Sequence, residues 1–165
     1  MECLAPDIDR RALRDAFGAF ATGVTVIAGY DPGGERVGLT ANSFTSVSLD
    51  PPLLLVCPAH GASALPALRK AKRFAVNVLS IDQQSVADRF TRRGIDRFDD
   101  AGWSDWHGVP VLADAMASFV CDLHAELDGG DHAILVGRVL ALRSHAETEP
   151  LLYLRGRYRQ IHVPH

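Results

Sequence analysis

Apolar residues fall in two rhythms along the chain, alternate positions in some stretches and every third or fourth in others. Leu13, Phe17 and Phe20 share one face of RRALRDAFGAF, with Asp9 placed to cap it and Gly23 just beyond, so an amphipathic opening helix is predicted. The β-branched run Val24 to Ala28, the turn Asp31-Pro32-Gly33-Gly34 and the extended Val37 to Ala41 read as a hairpin. Leu53 to Cys57 is apolar on both faces, as a central strand is. A short helix, ALPALRKAK with Pro66 in its first turn, precedes a strand from Phe74 to Leu79. Asp82 is expected to cap the next helix, with Ile81 stapled against Val86 and Gly94 as the stop. Asp96 to Pro110 reads as a surface loop whose Trp103 and Trp106 pack back onto the body. From Ser118 to Asp128 the alternation is clean: Phe119, Cys121, Leu123, Ala125 and Leu127 face one way, Ser118, Asp122, His124 and Glu126 the other. Asp128-Gly129-Gly130-Asp131 turns this strand into His132 to Leu142, and Leu151 to Gln160 is the last ordered piece. Strands linked by turns, with only three helical interruptions, predict a mostly β fold, an antiparallel barrel with peripheral helices, over a doubly wound α/β fold.

Gly38 to Pro52 departs from the pattern of a core strand. Thr40, Asn42, Ser43, Thr45, Ser46 and Ser48 crowd into nine residues before an Asp50-Pro51-Pro52 stop. An unpaired buried hydroxyl or amide costs about 1–3 kcal/mol, so these groups need either water or a partner. Composition supports an exposed Ser/Thr-rich edge strand and a cradle for a flat polar ligand equally.

A length of 165 residues suits one domain, residues 1–165, with a sizeable core. A hydrophobic fraction of 47% and a charged fraction of 22% place the chain among soluble globular proteins. The net charge of -3 gives no global field for nucleic acid or an anionic membrane, although basic residues cluster at 69–73, 89–97 and 155–159. Cys3, Cys57 and Cys121 are an odd set without paired spacing, which points to a reducing compartment and a cytoplasmic location. Glu2 and Asp7 stand where a signal peptide would be basic and then apolar, and no run reaches the ~18 apolar residues of a membrane span.

The common chemical motifs fail on specific residues. Gly18 and Gly23 have phosphate-loop spacing, but Val24-Thr25 follows where Lys-Ser/Thr is required. Gly61-Ala62-Ser63-Ala64-Leu65 breaks the nucleophile-elbow pattern at its last position. Cys57 and His60 lack a second Cys/His pair, so no metal site is expected. His132, directly after the Gly-Gly-Asp turn, is either a partly exposed hydrogen-bonding residue or an imidazole projecting toward a ligand. Tyr153, Arg155 and Tyr158 fit core and surface positions of a terminal strand.

The order FATGVTVIA, GLTANSFTSVSLDPPLLLVC, Ser63, RFAVNVLS, DGGDHAILVGRV and LLYLRGRY resembles the short-chain flavin reductase family over roughly Ala12 to Tyr158. TANSFTSVSLDPP and the Gly130-Asp131-His132 triplet are its most specific pieces. The resemblance implies an FMN-binding split barrel and the reductase component of a two-component flavin-dependent monooxygenase. Reduced nicotinamide, NADH or NADPH, would give a hydride to FMN or FAD, with no catalytic side chain required. Carried onto this chain, it sets the flavin ring against Thr40, Ala41, Asn42, Ser43, Ser46, Val47 and Ser48. It runs Cys57 to Ser63 past the phosphate, with one of Arg89, Arg93 or Arg97 as a cation, Arg93 being the one expected. His132, with Arg155, Gly156 and Tyr158 of the closing segment, would meet the nicotinamide. It implies a homodimer and a monooxygenase partner as well. Two other activities share these motifs: a flavin-dependent corrinoid cobalt reductase, and a flavin- or haem-binding protein without turnover.

Overall fold

The computed structural model describes residues 8–99, 102–145 and 147–162. Glu2, Cys3 and Asp7 lie outside the described residues. The first helix, α1 (Arg10–Phe17), is capped as its sequence predicts, Asp9 Oδ1 accepting from Ala12 N at 2.8 Å. It stops at Phe17, short of the predicted end. Gly18 disfavours a helix interior, and its carbonyl accepts from Arg155 N at 2.8 Å. Tighter turns carry the chain on to Phe20, whose N–H donates to Phe17 O at 3.1 Å.

The strands are β1 (Thr22–Gly23), β2 (Thr25–Tyr30), β3 (Arg36–Ala41), β4 (Thr45–Leu49), β5 (Pro52–Val56) and β6 (Arg73–Val78), with α2 (Leu65–Ala71) between the last two. After α3 (Gln84–Thr91) come β7 (Trp103–Trp106), β8 (Val109–Leu112), β9 (Ala117–Gly129), β10 (His132–Ser144), β11 (Leu152–Leu154) and β12 (Arg157–Arg159). Seven of them form one antiparallel sheet in the order β3-β2-β6-β9-β10-β5-β4; β1, β11 and β12 form a second, and β7 and β8 a hairpin.

The two edges of the main sheet, β3 and β4, are consecutive in the chain and joined only by residues 42–44. Laid flat, edges six strand spacings apart would be about 29 Å from each other. Four peptide steps span at most about 14 Å. The sheet must therefore curl until its edges nearly meet, and no ladder joins them among the described residues. The result is a barrel with an open seam at Asn42-Ser43-Phe44.

One face of the curled sheet buries Ile27, Leu54, Val56, Phe74, Val76 and Leu135, with Leu65 and Leu68 of α2 packed onto them. The other buries Val24, Val26, Leu79 and Leu151 beneath Val86, Ala87 and Phe90 of α3. Buried Asn77 ties the layers together: its amide donates to Val26 O at 3.2 Å, and its oxygen accepts from Leu112 N and Ser118 Oγ, each at 3.0 Å.

Four local expectations are corrected. The turn entering α3 begins at Ser80, not Asp82, because Gln83 Oε1 accepts from Ser80 N at 3.0 Å and a 3-10 turn over Ile81–Gln83 precedes the helix. The predicted loop contains the β7–β8 hairpin, turned by His107 (φ 51°) and Gly108 (φ 79°). Strand β5 lies one place in from the β4 edge, so Leu53 and Leu55 are only half-buried. The alternation of β9 fails over its first residues, where Ser118, Val120 and Cys121 are all buried, because the β7–β8 hairpin covers the second face there through Val109 and Trp106.

Candidate functional site

The seam opens into a cleft of about 700 Å³, within the range of about 300–1,000 Å³ usual for small-molecule sites. Thr40, Ala41, Asn42 and Ser43 form its seam wall, Cys57 to Ser63 contribute a second, and Phe90, Thr91, Arg93, Gly94 and Arg97 close it from the end of α3. Because β3 is an edge strand, its outward N–H and C=O groups are without ladder partners. A flat ligand with alternating donors and acceptors could pair with them.

Of the polar side chains in the seam, two have protein partners. Thr40 Oγ1 donates to Ala87 O at 2.8 Å, fastening β3 to α3. Ser43 Oγ accepts from Cys57 N at 2.9 Å and donates to Cys57 O at 3.2 Å, which pins the loop after β5 across the seam. Asn42 is exposed and its amide has no side-chain hydrogen bond among the described residues. The arginines divide similarly. Arg89 turns away to Asp99 O at 2.6 Å, and Arg97 donates to Gly38 O and Arg92 O, each at 3.0 Å. Arg93 faces the cleft with no hydrogen bond among the described residues, so an anion there meets an uncommitted guanidinium.

His132 stands at the mouth. Its Nδ1 lies 2.6 Å from Asp131 Oδ1, and Ala59 pairs with it in an isolated bridge, flanked by His60 N donating to Asp131 O and Ala133 N to Pro58 O. The β9–β10 hairpin and the Cys57 loop are thus tied together by backbone hydrogen bonds. The hydrogen bond and charge of His132 hold the Asp131 carboxyl below the usual carboxylate range, and exposed Arg10, 3.8 Å away, adds to this. Burial pushes the Cys57 thiol up, away from nucleophilic use.

A second cleft, about 1020 Å³, adjoins the first and shares Asn42 and His132 with it. Arg14, Phe17, Phe20, Thr22, Arg155 and Gly156 line it, and the Thr22 hydroxyl oxygen is buried with no partner among the described residues. Tyr158 lies apart from Arg155 and Gly156, in a side hollow with Thr40, Ala41 and Thr91. Burial and the neighbouring Asp88 carboxylate raise its hydroxyl.

Ser46, Val47 and Ser48 line neither cleft. Phe44 turns inward against Phe119, ring centroids 5.9 Å apart, and the chain leaves the seam beyond it on an edge strand with Ser46 and Val47 exposed. Gly38 to Pro52 therefore divides at Phe44, residues 40–43 lining the cleft and Thr45 to Leu49 forming an exposed edge strand. Sequence reasoning missed Thr22, Phe90, Thr91 and Arg14, which carry no motif and reach the clefts only through the packing of α1, β1 and α3. No group of three or more His, Cys, Asp or Glu is arranged to hold a metal ion among the described residues, and no helix among them is long and apolar enough to cross a membrane.

A curled antiparallel sheet with a polar cleft at its open seam, adjoining a second cleft, is a β architecture of the kind that houses small-molecule sites. Its sequence places it more narrowly: the chain belongs to the flavin reductase like domain family, whose model matches residues 17–162. It is 50% identical over 151 residues to the stachydrine N-demethylase reductase subunit Stc3 of Rhizobium meliloti, covering 91% of this chain and 65% of that one. It is 47% identical over 149 residues to the NADH-dependent FMN reductase SmoA of Agrobacterium fabrum, covering 90% and 84%. Among solved structures, the NADH:FAD oxidoreductase SgcE6 of Streptomyces globisporus, in complex with NAD and FAD fragments, superposes with a TM-score of 0.90 at 39% identity, covering 98% of both chains. The chain spans 65% and 48% of the length of two of these curated relatives, Stc3 and a probable flavin reductase of the same organism.

Proposed function

We propose that this chain is an NAD(P)H:flavin oxidoreductase, one cytoplasmic reductase domain that passes a hydride from reduced nicotinamide to FMN or FAD and supplies reduced flavin to a flavin-dependent monooxygenase. One observation carries the reading: Asn42 and His132 belong to both clefts, so two ligands, one in each, meet at these residues. Bound there, the flavin supplies the hydride acceptor, and the cofactors carry the chemistry. The protein's part is placement and exclusion of water. The β3 edge and the Asn42 amide hold the polar rim of the flavin ring, and Ser43, by fixing Cys57, keeps the opposite wall at its distance. Ser63 and Arg93 take the phosphate.

On the nicotinamide side Asp131 fixes the ring of His132, while Arg155 and Gly156 form the far wall. Tyr158 acts from behind the seam, beside Thr40. Phe17 and Phe20 edge the second cleft and are 70% and 79% exposed, an apolar rim that a second copy of the chain would cover. The direct test follows NADH and NADPH oxidation with FMN, FAD or riboflavin as acceptor. Oxidation that requires a flavin is expected, and none with any of the three overturns the reading.

A further inference from the structure

The terminal hairpin β11–β12 carries Arg155 and Gly156, the far wall of the second cleft, at its turn, yet the backbone holds it on one side only. On that side β11 pairs with β1 through Thr22↔Tyr153 and Gly23↔Leu152, and Arg155 N donates to Gly18 O at 2.8 Å. On the other, β12 has no ladder partner besides β11 among the described residues. A side chain holds this free side: Tyr158 packs against α3, and its hydroxyl is hydrogen-bonded to the Asp88 carboxylate on that helix. Resting on the flavin and nicotinamide reading above, we propose that Tyr158 is a positioning residue that braces the terminal hairpin against α3 and so sets the separation of the two ligands between which the hydride passes.

The contacts run without a gap from one cleft wall to the other. Tyr158 stands opposite Tyr153 across the hairpin, ring centroids 5.6 Å apart and planes inclined at 62°. Both rings pack on the cluster in which α3 buries Val86, Ala87 and Phe90. Tyr153 lines the second cleft as well as the hollow behind Thr40 and Ala41, whereas Tyr158 lines the hollow and not the cleft. Burial, and after it the Asp88 carboxylate, raises the phenol above its ordinary range, so it keeps the proton that it donates.

The helix is in turn fastened to the seam. Ala87 O accepts from Thr40 Oγ1 at 2.8 Å and Asp88 O from Thr91 Oγ1 at 2.7 Å, and Phe90, Thr91 and Arg93 close the seam cleft just beyond. The Tyr158 hydroxyl touches neither cleft, so its loss leaves each ligand's own contacts in place and acts on how the two walls are set against each other. Hydride transfer is sensitive to that setting, since a misplacement of about 1 Å can slow an oriented reaction by about 100-fold.

The test is single-turnover reduction by NADH of the protein loaded with FMN or FAD, compared with Tyr158→Phe, Asp88→Ala and the double variant. Tyr158→Phe keeps the ring and its packing, and Asp88→Ala breaks the same bond from a helix surface. Each is expected to slow hydride transfer at least about fivefold and to weaken the long-wavelength charge-transfer absorbance of nicotinamide stacked on flavin, with the nicotinamide KM and the flavin dissociation constant within about twofold of the parent. The double variant is expected to be no slower than the slower single one, because both remove one bond. Transfer rates within about twofold of the parent in both single variants, or slowing factors that multiply in the double variant, overturn the brace and leave the flavin reading standing. A raised nicotinamide KM with an unchanged transfer rate in Tyr158→Phe also overturns it, making Tyr158 a direct nicotinamide contact. A parent protein that oxidises no nicotinamide with any flavin overturns the flavin reading and the brace together.

Discussion

Asn42 and His132 are the two residues on which the clefts converge, and they are expected to fail in different ways. Asn42→Ala removes a ligand hydrogen bond worth about 1 kcal/mol and should weaken flavin binding roughly fivefold to tenfold by titration. His132→Ala should raise KM for the nicotinamide more than the dissociation constant of the flavin; unchanged nicotinamide kinetics with lost flavin binding would reverse the assignment. The Asp131–His132 pair carries a pH signature. A carboxyl whose folded pKa is lowered contributes stability above the ordinary value near 3.9, and that contribution is lost as pH falls through the lowered value. Carbon-detected NMR should therefore place the Asp131 midpoint below the ordinary value, and His132→Ala should bring it back up. Midpoints identical in the two proteins would show that the 2.6 Å contact does not persist in solution. At this scale the sequence was informative about which residue types matter and uninformative about which are free. Thr40 and Ser43 looked equivalent to Asn42 in composition, but their hydroxyls are taken up by Ala87 and Cys57, partners 47 and 14 positions away.

Among the elements, those written in local chemistry were read well. The Asp9 cap, the Asp31-Pro32-Gly33-Gly34 turn and the Gly129-Gly130 hairpin each depend on residues within a few positions, and each formed where its residues stand. Elements that depend on a distant neighbour were misread. The β7–β8 hairpin looked like loop because its inner strand is covered by β6 and β9 and so shows no alternation of its own. Asn77 is the clearest case: an ordinary strand residue in the sequence, it proves to be the buried clip joining β2, β6, β8 and β9. Asn77→Leu leaves Leu112 N and Ser118 Oγ buried without partners and should lower unfolding free energy by at least about 2 kcal/mol in urea titrations. A loss within 0.5 kcal/mol would mean that neighbouring groups or water replace the clip.

For the whole molecule, exposed apolar side chains mark what a single chain leaves uncovered. Phe17 and Phe20, side by side at the rim of the second cleft, are 70% and 79% exposed, an apolar patch of the kind that marks a contact surface. Light scattering is expected to give twice the chain mass of 17.9 kDa, and a mass of one chain would remove the second copy from the proposed function. Period-two alternation and turn residues, interrupted by only three short helical runs, determined by themselves that this is an antiparallel β protein, because those signals act over a few residues. The family motifs pointed to a flavin, because such motifs encode backbone edges and small side chains that one ligand shape requires. Only the tertiary structure decided which part of Gly38 to Pro52 lines the cleft. The sheet curls until residues 42–44 bridge its edges, so Thr40 to Ser43 face the cleft while Ser46 to Ser48, beyond inward-turned Phe44, pass to an exposed edge. Seam closure joins strands far apart in sequence, and no local pattern carries that distance.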